Sequence, residues 1–216
     1  MAYDPTLVLD MRSMMPFMSG GVQYVRDFSG YGNHGTPLVF AGDDSEYVSS
    51  DMGQAVLLDG TKSISIPDTY FPAYGFDRTL ITYVTPIVTG AIEARIFSYG
   101  TWLANQAFQL VLSTTTRVLT LVGHTGNYVF TNPCIYANVN QISAVISSGR
   151  VLTYFNGRPD SNQASTLATV LNGTAYIGQS PATGAKFVGY VHRVQMYARA
   201  FGATEMYNNY INRFRV

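Results

Sequence analysis

The chain has 216 residues, 47% of them hydrophobic and 12% charged, with thirteen basic side chains matched by thirteen acidic ones. Charge at about half the usual share, with no net sign, leaves no electrostatic footprint for nucleic acid or an anionic membrane surface. The apolar share excludes a disordered chain, and no apolar run approaches the length that crosses a bilayer.

In the amino-terminal stretch MAYDPTLVLDMRSMMPFMSG there is no basic start, and Asp4 and Asp10 bracket a short apolar run, so no signal peptide is expected. Leu7–Leu9 reads as a first strand. Met11, Met14, Met15 and Met18 read as a turn around Pro16 that plugs a sandwich end or an interface. Val22–Val25 leads into DFSGYGNHGT at 27–36, where Gly30, Gly32 and Gly35 alternate with Ser29, Asn33 and His34. Glycine allows positive φ, and Asp, Ser and Asn bond back to nearby amides, so a tight, self-bonded loop is expected. Pro37–Phe40 leaves this loop. Gly42–Glu46 reads as a solvated polar bend, with a calcium loop as the alternative.

Gln54–Leu58 and Ser63–Ile66 are strands joined at Asp59-Gly60, and Thr79–Thr85 is a longer one ended by Pro86. Ile92–Tyr99, Phe108–Ser113 and Arg117–Val122 alternate apolar and polar residues, and Tyr128–Thr131 pairs back across Gly126-Asn127. Asn140–Ser147 and Val151–Asn156 form the clearest hairpin, followed by strands at Ala175–Gly178 and Phe187–Tyr197. The chain's helix is expected from about Ala203 to Asn212, with Gly202 as N-cap and Glu205 reaching back to its amide. Cys134, the lone cysteine, cannot form an internal disulfide; it is expected as a buried thiol or an intermolecular partner. No linker, repeat or charge block divides the chain, so one domain over residues 1–216 is expected.

Three motifs, DFSGYGNHGT, GQAVLLDG at 53–60 and FVGYVHRVQMYARAF at 187–201, together resemble the laminin-G-like, or concanavalin-A-like, jelly-roll family. The resemblance implies an all-β fold: an antiparallel two-sheet β-sandwich with a short C-terminal helix. In that family the last strand carries an Asp near the glycine-rich loop, sometimes with calcium. His192 stands at that position here, while Asp27 and Asn33 match the loop side. Replacing an anionic oxygen by an imidazole disfavours calcium, which prefers six to eight oxygens. The expectation is therefore a metal-free network of Asp27, Asn33, His34 and His192, without a cofactor; calcium through Asp27 and Asn33 is the alternative. By strand parity His192 should share the inward face of Val194 and Met196.

Catalysis finds little footing. A glycosidase needs two carboxylates facing each other, and Glu46, Glu93 and Glu205 lack the Glu-x-Asp-x-x-Glu company that the jelly-roll glucanases carry. Glu93 is read as a surface ion pair with Arg95, and His34, His124 and His192 show no metal-ligand spacing. Carbohydrate recognition would need aromatic platforms and polar fingers in exposed loops. The candidates are Tyr70, Phe71, Tyr74, Trp102, Asn105 and Tyr128, which serve equally as protein-interface anchors. The neutral, tyrosine-rich composition favours a protein interface over a sugar site. The resemblance implies a fold that mostly works on surfaces, and no export signal, internal disulfide or second domain is expected. The reading is therefore a non-enzymatic structural protein, a virus or phage particle component that meets copies of itself or a larger assembly on a virion or extracellular surface. A stand-alone lectin that binds glycans is the alternative, and a glycoside hydrolase comes third. In the absence of export the protein would be cytoplasmic.

Overall fold

The computed structural model describes residues 4–41, 45–87, 93–181 and 186–214. Residues 42–44 of the expected polar bend, and Ile92, lie outside the described residues. The strands are β1 (Leu7–Met11), β2 (Pro16–Ser19), β3 (Val22–Val25), β4 (Thr36–Leu38), β5 (Tyr47–Ser50), β6 (Gly53–Asp59), β7 (Ser63–Pro67) and β8 (Arg78–Pro86). They continue as β9 (Glu93–Gly100), β10 (Ala107–Ser113), β11 (Leu119–Val122), β12 (Asn127–Val129), β13 (Asn140–Ser147) and β14 (Arg150–Phe155). Then come β15 (Arg158–Ala164), β16 (Thr174–Ile177), β17 (Val188–Tyr197) and the helix α1 (Ala203–Ile211).

Two antiparallel sheets face each other. One has the order β15-β14-β13-β8-β17-β6-β5, with β1 also on β17; the other runs β12-β11-β10-β9-β16-β7-β4. The ten-residue β17 serves two partners on one edge: β6 pairs with Val188–Val191 and β1 with its far half. Alternation sets the inner face: Phe108, Leu110 and Leu112 of β10 point into the core, joined by Leu119 and Leu121 of β11 and by Leu80 and Val84 of β8. A second apolar layer covers the outer face of the larger sheet, where Ile81, Tyr83, Val145, Tyr154 and Tyr197 meet Phe201 and Met206. Its central strands are thus buried on both faces.

Helix α1 lies on that outer layer. The Glu205 carboxylate accepts the Gly202 amide at 3.0 Å, as the sequence suggests, and Met206 is the buried contact. Asn209 anchors the next turn by accepting from the Tyr83 hydroxyl (2.7 Å) and the Gln141 amide (3.0 Å). The edge strands β15 and β12 of opposite sheets are stitched by hydrogen bonds: Ser161 and Gln163 both donate to the Val129 carbonyl.

Candidate functional site

The glycine-rich loop satisfies itself. Asp27 is buried, and its Oδ1 accepts from the amides of Asp10 (2.9 Å) and Ser29 (3.0 Å), while Oδ2 accepts from the Ser29 hydroxyl (2.7 Å) and the Asn33 amide (2.9 Å). Asn33 donates to the Val8 carbonyl at 2.7 Å, tying the loop to β1. His34 accepts the Asp27 amide on Nδ1 at 3.0 Å and sets its ring edge-on to Phe17. Gly35 has no room for a side chain, because a Cβ there would collide with Ile64 and Met11. Among the described residues, no group of three or more His, Cys, Asp or Glu side chains could hold a metal.

His192 is not part of this network, contrary to the parity argument. The register of β17 on β8 shifts between Val191 and Arg193. A bulge inserts one unpaired residue and resets which face follows. Val191, Val194 and Met196 enter the core, whereas the His192 ring pairs with the hydroxyls of Thr85 (2.9 Å, Nε2) and Ser50 (3.2 Å, Nδ1). Thr85 is next to the core residue Val84, so alternation puts it, and His192 with it, on the outer face. Burial pushes the imidazole down to about 4, so it is neutral at physiological pH.

The other sequence candidates gather at one end of the sandwich, but not all of them face outward. Phe71 is buried between Phe97 and Tyr99. Tyr128 is buried too, and its hydroxyl accepts from the Thr166 amide (3.1 Å) and the Ser165 hydroxyl (3.3 Å). These two rings hold the scaffold and cannot be contact platforms. Tyr70 is exposed and leans on Tyr31 of the glycine-rich loop at 5.0 Å. Tyr74 and Trp102 remain, with Asn105 beside the latter.

Their placement depends on a strap, residues 165–171, that threads between the loops. Tyr74 N–H donates to the Thr169 carbonyl (2.6 Å) on one side, and Thr101 N–H donates to Val170 (2.8 Å) on the other. The strap returns bonds from Ala168 to Asn105 (2.8 Å) and from Val170 to Gln106 (3.1 Å). Such close approach requires Gly100, at φ +85°, where a Cβ would lie 2.5 Å from the Gln106 carbonyl. Two aromatic pairs flank the strap. Tyr74 meets Phe76 edge-on at 6.3 Å, with 59% and 67% of their surfaces exposed, and Trp102 stands edge-on to His124 at 4.6 Å. Asn105 accepts from the Thr125 hydroxyl at 2.8 Å, and its amide N–H groups have no partner among the described residues.

Tyr74, Asn105 and His124 all adopt left-handed backbone (φ 50°, 59° and 73°). Such conformations cost on the order of 1 kcal/mol or more for residues other than glycine and gather at functional sites. Arg78 fixes the Tyr74 loop from below. Fully buried, its guanidinium donates to the Pro72 carbonyl (2.8 Å), the Tyr99 hydroxyl (2.6 Å) and the Tyr74 carbonyl, and it stacks on Phe108. Sequence reasoning missed Phe76, His124 and this arginine, since only the strap shows that their loops meet. Each glutamate is engaged by a cation: Glu93 by Arg95 (3.0 Å), Glu205 by Arg199 (2.7 Å) and Glu46 by Lys62 (3.4 Å). Cys134 is a buried free thiol that burial pushes up to about 12.

Residues 58–206 match the laminin-G-type family described as the concanavalin A-like lectin/glucanases superfamily, and the chain belongs to it. Solved structures share the fold at low identity. Domain 4 of AbnA, an extracellular GH43 arabinanase from Geobacillus stearothermophilus solved with arabinotriose, has a TM-score of 0.68 at 16% identity, covering 94% of this chain and 97% of that one. Trypanosoma rangeli sialidase with sialic acid gives 0.69 at 14%, covering 97% of this chain but 33% of that one. Botulinum neurotoxin type C, whose cell entry depends on two ganglioside molecules, gives 0.67 at 9%, covering 96% of this chain and 51% of the toxin chain. The chain thus spans about a third of the sialidase and half of the toxin chain. No curated protein matches it in sequence.

Proposed function

We propose that this chain is a glycan-binding module that works without turnover, with Tyr74, Phe76, Trp102 and Asn105 as its contact residues. The carrying observation is the two aromatic pairs on either side of the strap, each with one ring, Tyr74 or His124, on left-handed backbone. Sugar rings present apolar C–H faces and a rim of hydroxyls. The exposed rings of Tyr74 and Phe76 and the half-buried Trp102 receive the first, and the free N–H groups of Asn105 donate to the second. The solved relatives support this reading: the arabinanase domain was solved with arabinotriose and the sialidase with sialic acid, and the toxin's cell entry depends on two ganglioside molecules. A glycan array with the purified chain tests it. Binding to a defined sugar class, lost in Trp102→Ala and Tyr74→Ala variants that melt like wild type, is the expected result; an array with no binding overturns it.

A particle component finds no support in the comparisons. One observation stands on its side: Met15, Met18 and Val22 expose apolar surface around the β2–β3 hairpin. Light scattering over a dilution series decides between them, a monomer at high concentration favouring the lectin.

A further inference from the structure

The aromatic loop is connected to the outer face of the larger sheet through a single residue. Ser148, in the turn between β13 and β14, lines a cleft of about 590 Å³ beside Phe76 and Asp77. It also lines a groove of about 480 Å³ floored by Leu152 and Tyr154. Leu152, Tyr154 and Asn162 then carry on into a hollow of about 420 Å³ that reaches Asp160 on β15. The three depressions form one track from the Tyr74 loop to the edge strand. Ser148 itself adopts left-handed backbone, φ 50°.

The chemistry along this track is selective. Tyr154 is only 3% exposed, yet it lines two of the hollows, and its hydroxyl has no hydrogen-bond partner among the described residues. A buried ring with an unpartnered hydroxyl facing a groove suits an occupant with hydroxyls of its own. The charges along the track are few and lean negative, with Asp77 and Asp160 set against Arg150. Arg150 gives Nε to the Asn162 side chain (2.5 Å) and Nη2 to its carbonyl (3.3 Å). Asp160 accepts from the amides of Thr131 (2.7 Å) and Asn132 (2.8 Å) and from the Thr153 hydroxyl (2.9 Å). An anionic ligand would meet two carboxylates, Asp77 and Asp160, against the single guanidinium of Arg150 along the track, a balance that repels it.

We propose that the ligand is an uncharged oligosaccharide bound along its length over this track, with Tyr154 and Asn162 forming a second subsite beyond the aromatic loop. The proposal rests on the glycan-binding reading and adds to it the charge and the extended form of the ligand. Calorimetric titration of the full chain tests it with arabino- and cello-oligosaccharide ladders of two to six units and a sialylated oligosaccharide. Affinity for the better ladder should rise about tenfold from the shortest to the longest sugar, equivalent to about 1.4 kcal/mol. Tyr154→Phe, which keeps the buried ring, should weaken the longest sugar about three- to tenfold and leave the shortest unchanged. Tyr74→Ala should weaken both. An affinity that stops rising at two units, a Tyr154→Phe variant that binds the longest sugar like wild type, or a preference for the sialylated sugar overturns the proposal. In each of those cases loss of binding in Tyr74→Ala still upholds the glycan-binding reading.

Discussion

The glycine-rich loop and the strap end use similar residues to opposite effect. In the first, every acceptor position of Asp27 is used by the loop and β1, and His34 and Asn33 are turned inward. In the second, Arg78 and the strap satisfy the backbone from beneath, while Tyr74 and Phe76 are exposed and the Asn105 N–H groups are left without a partner among the described residues. A motif that stands out in sequence can therefore be purely internal. The functional surface arises where polar bonding is completed below and rings are left over above.

The largest expected effect breaks the first half of this contrast. Asp27→Ala strands four donors, each costing on the order of 1–3 kcal/mol before water relieves some of them, so a loss of about 4 kcal/mol is expected. Urea denaturation measures it. A midpoint at the wild-type value would mean that the loop is not held by its carboxylate.

His192 comes next, because its departure from the loop is what separates the two regions. Its folded value of about 4 lies below the ordinary 6.5, so the unfolded chain takes up the proton first. The stabilising effect is complete above about pH 6.5 and is lost as pH falls to about 4, amounting to about 3 kcal/mol. Asp10 and Asp68, which burial raises, act with the opposite sign: they protonate first in the folded chain and add stability in acid. The readout is accordingly the difference between wild type and His192→Gln, which should grow across that window. Parallel curves from pH 7 to 4 would show that His192 is not held neutral.

Much of the scaffold was legible beforehand. Alternation in β10 and β11 and the Ser148-Gly149 turn carried the sheets, because β11 buries one face, β10 alternates large core-facing apolar residues with Gln109, and β13 and β14 meet at a short turn. The strands that escaped, β2, β5 and β15, lack that signal. β15 reads Arg-Pro-Asp-Ser-Asn-Gln-Ala and is held by hydrogen bonds to the opposite sheet, which no hydrophobic pattern reports. The bulge at His192 was equally invisible, since one inserted residue leaves composition unchanged and reverses the facing. At the candidate site, Tyr74, Trp102 and Asn105, read from the sequence as candidate contacts in loops, do lie between strands. Phe71 and Tyr128 were not separable from them, because aromatic type says nothing about which ring the core takes.

Tyr74→Gly sharpens the second half of the contrast. Glycine adopts φ 50° without strain, so removing the ring should stabilise the chain by about 0.5–1 kcal/mol while glycan affinity falls about tenfold, or about 1.4 kcal/mol. Thermal melts and titration of the same sample read both. A variant that loses stability and keeps affinity would show that the ring belongs to the scaffold and that the strain has no functional return.

The smallest expected effect is none: calcium or a chelator should leave the melting temperature within about 1 °C. To bind calcium the loop would have to present several oxygens. The two of Asp27 already accept from three amides and a hydroxyl, and His34 contributes a nitrogen that itself accepts the Asp27 amide. An ion could enter only by stripping bonds that hold the loop to β1, so its binding energy would be spent against the fold. His192, where the family resemblance implies a carboxylate, points to Thr85 and Ser50 on another face and gives the loop no ligand. A fall of several degrees on adding EGTA, reversed by calcium, would show that the loop is not self-sufficient and would erase the difference between the two regions.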